Sequence, residues 1–100
     1  MTAPALRVRT WVRASMAENN TGLLGFLSVF YGSLILDGIA LRRTAYGKYT
    51  LSFPARTDRD GRKHSYIRPE SDAMRQEIER ELLRQLGERE DFEPAAGGRP

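Results

Sequence analysis

Cysteine is absent from this 100-residue chain, which removes disulfides, thiolate metal sites and a cysteine nucleophile together. That absence fits a cytoplasmic protein. Histidine occurs once, as His64, so a multi-histidine zinc site is excluded. The paired acids Asp58 and Asp60 lack the further carboxylates of a calcium loop and lie between arginines, so turn formation explains them better than a metal. The glycines match neither a dinucleotide fingerprint nor a P-loop. No acid–base pair accompanies a pocket-forming motif. The expectation is a protein without enzymatic activity, metal, cofactor or small-molecule substrate.

Long apolar runs are also missing. The uncharged stretch Gly22–Leu36 spans only 15 residues, short of the ~20 needed to cross a bilayer as a helix. Glycines interrupt it and Asp37 follows it. No basic region directly precedes it, as a secretory signal would require. No membrane partner is expected.

Charge is plentiful and unevenly spread. Residues 1–69 hold eleven Lys and Arg against four acids, whereas residues 70–100 hold five Arg against nine acids. A positive body of this size favours a polyanion such as DNA or RNA.

Hydrophobic periodicity supplies the elements. Leu6, Val8, Thr10 and Val12 alternate with Arg7, Arg9, Trp11 and Arg13, which predicts a half-buried strand over 5–13, with Trp11 either beside the arginines on its outer face or in the core with the arginines along the rim. Residues 17–22 read as a loop. Leu23–Tyr31 and Leu34–Leu41 flank Gly32-Ser33, and a glycine at the first central position suits a type II′ hairpin turn. Both faces of this hairpin are apolar, and burying both in so small a domain requires either a helix packed on one side or a second copy of the chain. A homodimer through Leu23–Leu41 is the expectation. Tyr49, Leu51 and Phe53 predict a fourth strand ending at Pro54, and Lys63–Arg68 a short fifth strand stopped by Pro69. Ser71 or Asp72 caps an amphipathic helix with Met74, Ile78, Leu82 and Leu86 on one stripe, ended by Gly87. The predicted class is therefore α+β: a small antiparallel or mixed sheet of about five strands with one C-terminal helix. Residues 1–87 form a single domain and 88–100, rich in acids, proline and glycine, a flexible tail.

Between Pro54 and Pro69 the chain concentrates its cations. Arg56, Arg59, Arg62, Lys63 and Arg68, with His64 and Tyr66, surround the turn dipeptide Asp60-Gly61. Cations that fan out beside an aromatic ring suit a phosphate backbone and a stacked base. Arg75, at the start of the helix, is expected to join these residues. A second basic set comprises Arg7, Arg9, Arg13, Arg42, Arg43 and Lys48, with Trp11, Tyr46 and Tyr49 interleaved.

The order of elements, and the run Pro54-Ala55-Arg56-Thr57-Asp58-Arg59-Asp60-Gly61 leading to Pro69, resembles the SpoVG (stage V sporulation protein G, septation regulator) family. There the pattern is Pro-Ser-Lys-Arg-Thr-Pro-Asp-Gly with a further proline eight residues on. Pro54, Asp60, Gly61 and Pro69 match without a gap, and Arg56 keeps its basic character. Ala55, Thr57, Arg59, Ser65-Tyr66 and Gly38 depart from the family pattern, and the turn after Gly38 is one residue longer. The resemblance covers roughly residues 5–86. It implies a bacterial cytoplasmic regulator of the septation and sporulation type, dimeric through its sheet, that binds DNA or RNA without enzymatic activity. A protein-interaction or dimerisation module, with the basic loop serving solubility, is the competing expectation.

Overall fold

The computed structural model describes residues 5–92. Its elements are β1 (Leu6–Arg13), α1 (Met16–Asn19), β2 (Leu23–Tyr31), β3 (Leu34–Arg43), β4 (Tyr49–Ser52), β5 (Ala55–Thr57), β6 (Lys63–Ser65) and α2 (Asp72–Gly87). Strands β1 to β4 form one antiparallel sheet in chain order, and β5 and β6 form a separate two-stranded ribbon. The α+β class is as predicted. The strand expected fifth in the sheet exists as β6 but leaves it, since Pro54 follows β4 with no N–H to continue a ladder.

Three register shifts decide which side chains are inside. In β1 the shift between Val8 and Thr10 adds one residue, which reverses the alternation from there on. Leu6 is buried before the shift, and Trp11, only 7% exposed, is buried after it. Trp11 thus belongs to the core, not to the outer arginine face that uninterrupted alternation predicts, while Val12 turns outward. Its indole lies against Gly25, where an added Cβ would come within 2.5 Å of the ring and of the Val12 carbonyl. Glycine is required there by close approach. In β3 the shift falls at Asp37-Gly38, opposite Leu27 and Val29, with Gly38 at φ 78°. The extra residue of a bulge favours that left-handed conformation, and glycine adopts it without strain. The β2–β3 turn has a positive φ at Gly32 and none at Ser33, as a type II′ turn requires.

Helix α2 packs on one face of the sheet. Leu82 and Leu86 are fully buried against Leu24, Leu27, Val29, Ile39, Leu41 and Leu51. Ser71 is its N-cap, with Oγ accepting from the Met74 amide at 3.2 Å, and Asp72 and Arg84 lie at the helix ends that suit their charges. The segment expected as a loop contains the short helix α1. Its cause was readable: Ser15 and Glu18 form a reciprocal capping box, with Glu18 Oε1 accepting from the Ser15 amide at 2.9 Å. Of the expected tail, residues 93–100 lie outside the described residues. Residues 88–92 turn back, bringing the Phe92 ring edge-on to Trp11 with centroids 5.0 Å apart.

Both edges of the sheet are held by α2 side chains. At β1, Gln85 accepts from the Val8 amide and donates to the Leu6 carbonyl, each at 2.7 Å, as a neighbouring strand would. At β4, Glu79 Oε2 accepts from the Leu51 amide at 3.0 Å, and Arg75 donates to the Leu51 carbonyl at 2.8 Å. Capped edges cannot pair with another chain at those positions. On the sheet face opposite α2, Ala40 is buried with Ala14 and Leu23, whereas Val12 (60%), Phe26 (39%) and Ile35 (47%) are exposed.

Candidate nucleic-acid interface

The β5–β6 ribbon is a closed hairpin with a rigid turn. Ala55, Arg56 and Thr57 pair with Ser65, His64 and Lys63. The Tyr66 amide donates to the Pro54 carbonyl at 3.0 Å and the Asp58 amide to the Arg62 carbonyl at 2.9 Å, extending the pairing at both ends. Asp58 organises the turn. Its Oδ1 accepts from the Asp60 and Arg62 amides, both at 2.9 Å, and its Oδ2 sits 2.7 Å from His64 Nε2. An aspartate bonding its own backbone two residues on is a turn-former's usual role. The His64 contact first, and the Arg62 and Asp60 amides with it, hold the Asp58 carboxyl below the ordinary aspartate range. Gly61, at φ 82°, closes the turn in a conformation that favours glycine.

Register assigns the side chains to two faces. Alternation across the pairs places residues 54, 56, 58, 62, 64 and 66 on one face and 55, 57, 63 and 65 on the other. Arg56, Arg62, His64 and Tyr66 therefore share a face with Asp58. The opposite face is small-sided except for Lys63. Arg59 stands at the turn and Arg68 just beyond the ribbon. All of these but Pro54 and Asp58 are exposed.

Neither these cations nor Arg42, Arg43, Lys48 and Arg80 are ion-paired among the described residues. Arg56, Arg59, Arg62, Lys63 and Arg68 make no side-chain hydrogen bond or ion pair among the described residues. On the helix, Arg84 is paired with Glu81 at 2.7 Å and Glu88 at 3.0 Å, and just beyond it Arg89 is paired with Asp91 at 2.8 Å. Of the eight expected site residues, Arg56, Arg59, Arg62, Lys63 and His64 lie on the ribbon or its turn and Tyr66 follows it, whereas Arg68 lines the cleft beside α2. The eighth, Arg75, is placed apart: its guanidinium serves the Leu51 carbonyl and Glu79 and lies 5.7 Å from the centre of the Phe53 ring.

The second basic set is divided. Arg7 stacks over Phe30 at 4.8 Å and Arg9 donates to Ser28 Oγ at 3.4 Å on the uncovered sheet face. Trp11 is removed to the core, whereas Tyr46, near Lys48, is 97% exposed.

Elsewhere, an apolar cleft of about 340 Å³ opens between the β2–β3 tip and the first half of α2, lined by Leu34, Leu36, Phe53, Met74 and Ile78. Only Arg68 and Glu70 bring charge to it. Among the described residues no three or more His, Asp or Glu gather as a metal site, and no helix is long and apolar enough to cross a membrane. No family model matches this chain, and no curated protein or solved structure matches it.

Proposed function

We propose that this protein is a non-enzymatic nucleic-acid-binding regulator, a divergent relative of the SpoVG septation regulators, acting in the cytoplasm as a homodimer. The carrying observation is the state of its cations. Arg75 and Arg84 of α2 lie against carboxylates one turn away, while Arg56, Arg59, Arg62 and Lys63 are gathered on one ribbon with no partner among the described residues. Unpaired guanidinium and ammonium groups gathered on a rigid, exposed element bind phosphates by releasing counterions, with no protein ion pair to break first. The two acids of the ribbon offset little of this, because Asp58 is already bonded within the turn. His64 and Tyr66, 65% exposed, add a hydrogen-bonding ring and a stacking surface beside the cations.

The dimer rests on the uncovered sheet face. Val12, Phe26 and Ile35 form an apolar exposure opposite α2, on and beside the β2–β3 hairpin. A second copy laid on that face buries it. The competing reading, an interaction module without nucleic acid, leaves the unpaired ribbon cations unused.

A titration of labelled DNA and RNA at two salt concentrations tests the proposal. Binding that weakens steeply as salt rises is expected; no binding to any probe at low salt contradicts it.

A further inference from the structure

Resting on that reading, we infer that the ribbon recognises B-form duplex DNA by entering the major groove with its Arg56–Arg62–His64 face toward the base edges. Three features lead to this geometry.

The first is shape. A B-DNA major groove admits a two-stranded β-ribbon, being roughly 12 Å wide and 8.5 Å deep. The β5–β6 ribbon stands apart from the four-stranded sheet. Three paired residues rise about 10 Å, comparable with the depth of the groove. The turn is locked by Asp58, so the tip is presented without an ordering cost.

The second is chemistry. Arg56 and Arg62 share a face and are unpaired, and an arginine fork matches the O6 and N7 acceptors of guanine bidentately. His64 gives Nε2 to Asp58, leaving Nδ1 for a base or phosphate. Arg59 at the turn and Lys63 on the opposite face are placed for the phosphates of the groove walls, where contacts position rather than specify.

The third is what the ribbon lacks. A single-strand binder presents successive aromatic platforms along its groove, but β5 and β6 contain none, and Tyr66 stands alone beyond them. Duplex RNA is disfavoured by shape, since its major groove is too narrow and deep for side chains to read.

The experiment uses the whole protein with four probes of one sequence: duplex DNA, its single strand, duplex RNA, and duplex DNA whose cytosines carry bulky 5-substituents filling the major groove. Duplex DNA is expected to bind at least tenfold more tightly than each of the other three, about the loss of a good base contact. A minor-groove ligand added to the unmodified duplex should leave affinity unchanged. Equal or tighter binding to single strands or duplex RNA overturns the inference while leaving nucleic-acid binding intact. So does indifference to the groove-filling groups. Absence of binding to all four probes overturns the inference and the proposed function together.

Discussion

Asp58 and Trp11 show how single residues set the interface and the core. The Asp58 carboxylate is stabilised in the folded turn by His64 and two amides, and its pKa lies below the ordinary 3.8. A depressed carboxylate contributes stability that is present above its unfolded value and lost as pH falls through the folded one. The ribbon turn should therefore stay closed through neutral and mildly acidic pH and open only in stronger acid. Amide NMR shifts of Asp60 and Arg62 should titrate with a midpoint below 3.8; a midpoint at or above that value contradicts the Asp58 latch. The turn-forming part of this role was legible in Asp58, Asp60 and Gly61 alone. The place of Trp11 was not. One extra residue in β1 moves Trp11 inward and Val12 outward, and nothing in an alternating string announces a bulge that only pairing with β2 defines.

At the scale of elements, α2 both covers the sheet and closes its edges. Its apolar stripe was readable from Ile78, Leu82 and Leu86. The edge caps were not, because Gln85 reaches Leu6 and Val8, and Arg75 and Glu79 reach Leu51, across separations that no local pattern encodes. Arg75 looked like a phosphate contact because its charge lies close in sequence to Arg68. Its bonds instead make it part of the β4 edge. Replacing it with alanine leaves the Leu51 carbonyl short of a donor, at a cost of about 1–2 kcal/mol. Arg75→Ala should lower the melting temperature measurably and leave the salt dependence of nucleic-acid binding as it was. Unchanged stability with a flattened salt dependence would return Arg75 to the interface. The ribbon itself was half legible: Pro54, Pro69 and the Asp60-Gly61 turn marked a projecting hairpin, but its pairing as a sheet of its own depends on Ala55–Thr57, three residues with no strand-like periodicity.

At the scale of the molecule, the separation of function follows from the separation of charge. Arg75 and Arg84 of α2 are paired with acids one turn away, and most of the body's other cations lie on the strands, their loops and the ribbon. The uncovered sheet face is the second consequence of having one long helix for a sheet with apolar residues on both sides. If two copies share that face, Phe26→Asp should convert a dimer to a monomer in sedimentation analysis while leaving the fold intact. A wild-type chain that sediments as a monomer at high concentration would remove the face from the account.

The central claim is that the unpaired ribbon cations hold phosphates, and the salt dependence of binding tests it most directly. Each phosphate neutralised steepens the slope of log affinity against log salt by about 0.9 on B-DNA. A chain with Arg59, Arg62 and Lys63 all changed to alanine should bind more weakly and show a slope shallower by roughly 2 than the wild type, for the two phosphate contacts of Arg59 and Lys63. An unchanged slope in that variant, with its fold intact, would contradict the ribbon as the binding element.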